Sequence, residues 1–208
     1  MTTHVMLDLE TLGVGPFPAL LSVGALKFDP HGEDVDMTQR SFYATVDVAD
    51  CMHLGATVDV DTLMWWMKPE HGAARVWAFH HPNFPHHAPP PISCEAIAHR
   101  FITWLHINSE TGSHIPRDMC VWSHGLNFDV AIVQRYFAAV GKAWPLGHRA
   151  GRDTRTLLEL ADLHNAEGAE SIRIPMPPQG IKHHPVWDCY LQARAVQEAY
   201  RQIEHWKV

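Results

Sequence analysis

The sequence predicts an α/β fold in which a mixed β-sheet is flanked by helices. Three strand-like segments follow one another near the start of the chain with short connections, which favours an antiparallel beginning to a sheet. Further along, helical patterns alternate with short apolar segments, as is typical of parallel strands in an α/β layer. At 208 residues, we expect the whole chain, 1–208, to form one domain with a sizeable core.

Composition narrows the class of protein before any motif is considered. Hydrophobic residues make up 46% of the chain and there are eight tryptophans, which argues for a globular protein. The formal net charge of -7 argues against a broad basic surface that binds nucleic acid. It is compatible with a metal site, because the bound ions compensate the acids that are gathered there. The four cysteines form no C-x-x-C pair and no apolar run reaches about 18 residues, so we expect reduced thiols, a cytoplasmic location and no membrane span.

The first predicted strand carries two acids on one face. It lies within His4–Gly13 (HVMLDLETLG), where alternation places Asp8 and Glu10 opposite the apolar valine and leucines. Their Cα atoms would lie roughly 6.6 Å apart, and such a pair repels and loses solvation unless a cation bridges it. The alternative is a solvent-facing strand with two ordinary carboxylates. The pair is therefore a metal-site hypothesis that needs further ligands from the rest of the chain.

The remaining elements follow from apolar patterning and from residues that begin or end helices. Strands are predicted at 19–28, 40–46 and 119–122, and helices at 62–67, 72–79, 93–108, 130–137, 157–163 and from 185 onward. Asp59 or Asp61 can cap the first of these helices. Residues 80–91 hold five prolines and four histidines and are predicted to be a loop, whose histidines are more simply solvated than metal-binding.

Asp129 lies in the first turn of the predicted middle helix. Asn127 is the expected N-cap, and Gly141 is expected just after the C-terminus. The helix dipole alone favours a carboxylate at that position. The position is also the carboxyl end of a sheet strand, where open α/β folds bind ligands, which favours a functional role.

The last helix begins beside a second group of candidate residues. Pro185 suits the first helical position, so His183 and His184 lie in the loop ahead of it and Asp188 lies about one turn inside. The apolar stripe expected to pack on the sheet is Val186, Cys189, Tyr190, Ala193, Val196 and Tyr200. Asp188 flanks the beginning of this stripe, at the rim where ligands bind.

Three motifs of this sequence, taken together, resemble those of a known superfamily. They are D-x-E on the first strand, N-F-D at the middle helix and H-x-x-x-x-D at the last helix. They are similar to the DEDD 3′→5′ exonucleases in the histidine-containing, DnaQ-like (DEDDh) branch, which includes the polymerase proofreading subunit, oligoribonuclease and ribonuclease T. The resemblance extends from His4 to about Tyr200 and implies a ribonuclease H-like fold. The Trp65-Trp66 helix, the segment 152–155 and D-C-Y at 188–190 look most like the phage exodeoxyribonuclease VIII-like branch, which includes bacterial exoribonucleases.

This resemblance implies catalytic roles for five residues. Asp8, Glu10 and Asp188 would hold one divalent ion. Asp8 would also bridge to a second ion, on which Asp129 would act through water. Oxygen ligands suit Mg²⁺ or Mn²⁺, and two such ions stabilise the entering and leaving oxygens of a phosphoryl displacement. His183 would be the general base, with His184 as an alternative that matches the motif spacing less well.

A further group of residues is expected to contact the nucleotide. These residues are Thr11, Leu12, Gly13, Trp66, Asn127 and Arg152. Trp65 or Trp66 can stack on an unpaired base, and the alternative is that they pack in the core. Arg152 and Arg155 can meet phosphates or pair with neighbouring acids.

The sequence thus predicts a metal-dependent 3′→5′ exonuclease that releases nucleoside 5′-monophosphates from 3′ ends of DNA or RNA, in single strands or overhangs. One alternative is an enzyme dedicated to RNA or to very short oligonucleotides. Another is a catalytically silent nucleic-acid-binding module on the same fold, which has no need of four acids that repel phosphate. The sequence does not decide between ribose and deoxyribose in the substrate. It does not decide the oligomeric state either, and a homodimer is compatible with it.

Overall fold

A five-stranded mixed sheet positions every candidate residue. The structure, a computed structural model, describes residues 4–79, 87–106, 115, 118–164 and 172–204, so part of the predicted loop at 80–91 lies outside it. The strands are β1 His4–Thr11, β2 Leu20–Phe28, β3 Ser41–Thr45, β4 Val121–Ser123 and β5 Gly151–Asp153. They lie in the order β3-β2-β1-β4-β5, with β1, β2 and β3 antiparallel and β4 and β5 parallel to β1. The predicted mixed sheet is confirmed.

Helices cover both faces of this sheet. They are α1 Met37–Arg40, α2 Val48–His53, α3 Val60–Trp66, α4 Gly72–Ala78, α5 Cys94–His106, α6 Asp129–Ala139, α7 Thr154–His164 and α8 Pro185–Glu204, with a 3₁₀ turn at Pro69–His71. Val5, Leu7 and Leu9 of β1 are buried in one apolar cluster with α5 and α6, and Met6 is buried in another with α8. The predicted alternation of β1 is therefore correct. No helix in the described ranges is long and apolar enough to cross a membrane.

The N-cap of the middle helix lies one residue later than predicted. Phe128 is the N-cap of α6 and makes no side-chain capping hydrogen bond, so the prediction that Asn127 caps this helix is wrong. The chain enters α6 through a tight turn instead, in which Phe128 N–H donates to Gly125 O and Gly125 has φ +130°. Gly141 follows the helix with φ +69°, as predicted, because glycine adopts this conformation without a Cβ clash.

The segment after this helix was only partly predicted. Gly151–Asp153 forms β5, and α7 begins at Thr154, three residues before the predicted start. A three-residue strand has too few residues to show a side-chain period, so its pairing with β4 is set by the tertiary structure.

The N-terminal end of α8 lies directly on the sheet beside Asp8. Gly24 of β2 pairs with Asp8, and a Cβ built on Gly24 would lie 2.6 Å from the carbonyl carbon of Pro185. Any side chain at position 24 would push the start of α8 away from the sheet. Glycine at this position therefore brings the first turn of α8 close to the acids of β1.

Candidate active site

Four carboxylates from three elements meet at the carboxyl end of β1. Asp8 and Glu10 come from β1, Asp129 begins α6 and Asp188 lies in the first turn of α8. The negative charges of Asp8, Asp129 and Asp188 all act on Glu10. Oxygens of Glu10 and Asp188 and a ring nitrogen of His183 lie within 4.8 Å of one another. The fold thus brings together all five residues predicted to be catalytic.

Burial raises the pKa of every one of these acids, and repulsion between carboxylates adds to it for Asp8 and Glu10. For Asp8, burial is the larger cause and the charges of Asp129 and Asp188 add to it. For Glu10, burial again comes first, followed by Asp8. Burial raises the pKa of Asp129 to about 7 and that of Asp188 to about 6, although backbone N–H groups of Leu9 and His183 donate to them. Such a cluster of hard oxygen ligands fits a divalent cation, which would supply the missing positive charge.

Few neighbouring groups offset the negative charge of this cluster. Gln192, one turn after Asp188 on α8, donates from Nε2 to Asp8 Oδ1 at 3.0 Å. The positive charge of Arg155 lowers the pKa of Asp129, and that of Lys182 lowers the pKa of Asp188. Both cations are exposed, so they lie at the rim of the site.

His183 is held at the site by its backbone and by two aromatic neighbours. Its φ is +62°, a left-handed conformation that costs a residue with a Cβ about 1–2 kcal/mol. The edge of its ring contacts Trp65 at 4.9 Å between ring centroids and His71 at 5.2 Å, and Trp65 and His71 stack at 3.7 Å. Burial, Lys182 and His71 lower the pKa of His183, which favours the neutral imidazole.

His184 points into the protein instead. It is 7% exposed, stacks on Tyr43 with ring centroids 4.7 Å apart, and contacts the edge of Trp77 at 5.0 Å. Its Nδ1 accepts a hydrogen bond from Val186 N–H at 3.3 Å, and burial lowers its pKa to about 4. Of the two adjacent histidines, His183 is therefore the one beside the carboxylates.

A cavity of about 550 Å³ opens beside these carboxylates. Its lining includes Glu10, Thr11, Asp61, Trp65 and Phe128. Trp65 is half-buried, so one part of its ring can meet a ligand. This lining suits a nucleoside, which has both an apolar face and hydroxyl groups. The aromatic rings of Trp65 and Phe128 match the apolar face, and the polar groups of Thr11 and Asp61 match the hydroxyl groups.

Two predicted contacts of this region are wrong. Trp66 is 1% exposed and its Nε1 donates to Thr11 O at 3.0 Å, so it packs beneath the site and cannot stack on a base. Leu12 is 5% exposed, so its side chain cannot wedge against a base. Thr11 lines the cavity, but its hydroxyl donates to Gly13 O at 2.6 Å. A Cβ built on Gly13 would lie 3.3 Å from the Cβ atoms of Asp59 and Pro18.

The last two predicted substrate contacts lie away from the acids. Asn127 is exposed and lines a different cavity. Arg152 donates to the carbonyls of Arg149 and Gly151, both at 2.8 Å, and its charge acts on His4 at the opposite end of β1. Arg152 pairs with Trp122 and Trp122 pairs with Met6, so Arg152 lies on the same face of the sheet as Asp8 but toward the opposite end of β1. Arg155, at the start of α7, is the arginine whose charge acts on Asp129.

Three residues of the site were not predicted from the sequence. They are His71, Lys182 and Gln192. Gln192 follows Asp188 by four residues, and this helical spacing places both on one face. His71 had no such signal, because its stacking on Trp65 depends on how the 3₁₀ turn folds against α3.

Comparison with known proteins identifies the family. Residues 3–200 match the family described as the 3′-5′ exoribonuclease Rv2179c-like domain. The chain belongs to this family. Membership in the Rv2179c-like family confirms the predicted 3′→5′ exonuclease class of the DEDDh type, while the phage-like branch stays a prediction.

Solved structures show the same fold for this Rv2179c-like domain. Exonuclease I of E. coli in complex with a dT13 oligonucleotide is 13% identical, with a TM-score of 0.62 over 100% of this chain and 43% of that chain. The complex with dA16 is 13% identical, with a TM-score of 0.56 over 99% and 43%. The chain thus spans less than half the length of these structures, and the likeness confirms the predicted ribonuclease H-like fold. No curated protein matches the chain significantly.

Proposed function

We propose that residues 1–208 act as one 3′→5′ exonuclease domain that uses two Mg²⁺ or Mn²⁺ ions and releases nucleoside 5′-monophosphates from single-stranded ends. The convergence of four carboxylates and His183 carries this proposal. The family is described as exoribonuclease, which favours RNA over DNA as the substrate. The exonuclease I structures that share the fold hold single-stranded oligonucleotides, which supports a single-stranded end.

The four acids would hold the cations, and His183 would handle the proton. Asp8, Glu10, Asp129 and Asp188 offer oxygen ligands from three elements, β1, α6 and α8. When bound, paired divalent ions stabilise charge on the entering and leaving oxygens of the phosphodiester. His183 accepts the proton of the attacking water at a ring nitrogen, because its lowered pKa keeps the imidazole neutral near pH 7.

The cavity lined by Trp65 and Phe128 would hold the terminal nucleoside. It shares Glu10 with the carboxylate cluster, so a nucleoside in it presents its 5′-phosphate to the acids. Asp61 offers an exposed carboxylate that can accept a hydrogen bond from a ribose hydroxyl. This placement supports removal of one nucleotide at a time from an end.

A digestion series tests the proposed function. End-labelled single- and double-stranded RNA and DNA are incubated with Mg²⁺, Mn²⁺ or chelator, and products are resolved by length. We expect a ladder that shortens from the 3′ end of single-stranded RNA with either metal, and none with chelator. Asp8→Asn is the control, since it keeps the hydrogen bond from Gln192 while removing one charge.

If the domain were instead a catalytically silent binding module, no shortening of the oligonucleotide would be expected. Oligonucleotide that is bound but left intact by the wild type with both metals would contradict the exonuclease proposal. Equal laddering by the wild type and Asp8→Asn would contradict the ligand assignment.

A further inference from the structure

Two cysteine thiols meet in the interior, where α2 lies against the start of α5. Cys51 is on α2 and Cys94 is the first residue of α5, and their sulfur atoms lie 3.5 Å apart, with one thiol donating to the other. The two residues are 0% and 3% exposed, and both are free thiols in the structure. A disulfide joins sulfurs at about 2.05 Å, so the two atoms need to approach by roughly 1.5 Å.

The surroundings of these thiols favour such an approach. Asp50, which precedes Cys51, accepts a hydrogen bond from Cys94 N–H at Oδ2 at 2.7 Å, so the adjacent residue already ties the start of α5 to α2. Cys94 also lines a small apolar cavity of about 10 Å³ between α5, α6 and β2. This space lets the side chain of Cys94 shift without displacing a filled core. The sulfurs can therefore reach bonding distance with little movement of either helix.

The other two cysteines are arranged differently. The thiols of Cys120 and Cys189 donate to backbone carbonyl oxygens, at 3.5 and 3.6 Å. By contrast, the Cys94 thiol lowers the pKa of Cys51, because it can donate to the Cys51 thiolate. The thiolate is the form that attacks an oxidant. Cys51 is therefore the thiol expected to react first, with Cys94 beside it to close a disulfide.

The surface position of α2 gives an oxidant a route to this pair. α2 has six residues, and Cys51 is the one among them that is buried. A short helix that buries a single side chain is held by few contacts, so it opens locally at a lower free energy than the whole fold. A small oxidant therefore reaches Cys51 during such openings, without unfolding the domain.

We propose that Cys51 and Cys94 are a site of reversible oxidation, at which a peroxide converts the two thiols into a disulfide that joins α2 to α5. The Cys51 thiolate attacks one oxygen of hydrogen peroxide, the O–O bond breaks, and a sulfenic acid forms on Cys51. The Cys94 sulfur then bonds to the Cys51 sulfur and displaces the hydroxyl group. In sum, two thiols are oxidised, one peroxide is reduced, and the two thiol protons leave in two molecules of water. No metal or nucleotide takes part, so the inference is independent of the proposed function.

The disulfide would close a segment of the chain that borders the candidate active site. Residues 52–93 lie between the two cysteines and include α3, which carries Trp65, and the 3₁₀ turn, which carries His71. Both of these rings contact His183. A cross-link at the ends of this segment lowers the conformational entropy of the unfolded chain, so we expect the oxidised protein to unfold at a higher temperature.

Thiol counting and peptide mapping on the wild type test the site directly. The full chain is treated with hydrogen peroxide in small molar excess, and free thiols are counted in guanidinium chloride. We expect the count to fall from four to two, and dithiothreitol to restore it. Arg75 lies between Cys51 and Cys94, so trypsin places them in separate peptides, and mass spectrometry should find these two peptides joined.

Three results of this experiment would overturn the inference. The first is a count that stays at four after treatment. The second is a joined peptide that contains a different pair of cysteines. The third is a loss of thiols without any joined peptide, which would mean that the sulfurs are oxidised singly.

Thermal unfolding with matched variants gives an independent measurement. Peroxide should raise Tm by about 5–10 °C in the wild type and in Cys120→Ala, which keeps the pair intact. Cys94→Ala leaves Cys51 without its partner, so the same treatment should not raise its Tm. An equal rise in Cys94→Ala, or no rise in the wild type, would contradict the inference. Because peptide mapping uses the wild type alone, it decides the site even if Cys94→Ala does not fold.

Discussion

His183 and His184 are adjacent in the sequence and have opposite environments. The left-handed backbone of His183 turns its ring toward Glu10 and Asp188. This backbone conformation is unfavourable, and the contacts of the ring with Trp65 and His71 offset its free energy. His184 fills a buried space beside Tyr43. His183 is therefore the histidine placed for the proposed proton transfer, and His184 packs in the interior.

Substitution of each histidine should separate these two roles. We expect His183→Ala to lower kcat about 100-fold or more, because a general base typically contributes 10²–10⁴-fold. We expect His184→Ala to lower the free energy of unfolding by about 1–3 kcal/mol, because it leaves a cavity next to Tyr43 and Trp77, with a smaller change in kcat. Turnover on an RNA oligonucleotide and urea unfolding give the two quantities. A larger loss of kcat in His184→Ala would reassign the base.

At the scale of elements, the site depends on how closely α8 approaches the sheet. Gly24 pairs with Asp8 across β1 and β2 and lies against Pro185 at the start of α8. Cys189, further along α8, donates from its thiol to Gly24 O at 3.6 Å, which shows that the contact continues past the first turn. The separation of Asp188 from Glu10 is therefore fixed by a residue that takes no part in the chemistry.

Gly24→Ala should disrupt this contact. The added methyl would lie 2.6 Å from Pro185 C and 2.8 Å from Val186 N, both backbone atoms that cannot move aside without shifting α8. We expect a loss of about 1–3 kcal/mol in stability, and a drop in kcat that exceeds the effect on oligonucleotide binding. Gly15→Ala is the matched control, because no atom lies within 4 Å of its added methyl. Wild-type kcat in Gly24→Ala would show that α8 tolerates displacement.

The sequence predicted the elements whose pattern is long and regular. Alternation in β1 placed Asp8 and Glu10 on one face, and Pro185 with the apolar stripe placed Asp188 in the first turn of α8. Contacts between distant segments were not predictable in the same way. Trp65 and Trp66 have the same side chain, and the packing of α3 decides which of them is buried: Trp66 is 1% exposed and donates to Thr11 O.

At the scale of the whole molecule, the distribution of charge links the stability of the fold to the binding of a metal ion. The chain has a formal net charge of -7, and four of its acids lie close together at one site. Their raised pKa values mean that the folded protein binds more protons than the unfolded chain between about pH 4 and 7. Without a cation, these acids therefore make the protein less stable as the pH rises through about 6 for Asp188 and about 7 for Asp129.

Divalent cations should reverse this loss, and more strongly at high pH. Cations compete with protons for the carboxylates, so Mn²⁺ at about 100 times its Kd should stabilise the fold by about 2.7 kcal/mol at pH 8 and by less at pH 5.5. For a chain of this size, that free energy raises Tm by about 5–10 °C. Differential scanning fluorimetry with chelator or Mn²⁺ at the two pH values measures the effect. Asp8→Asn should be more stable than the wild type in chelator at pH 8, because one repelling charge is gone, and should respond little to Mn²⁺. An equal response to Mn²⁺ at both pH values, or in Asp8→Asn, would mean that the cation binds elsewhere on the molecule.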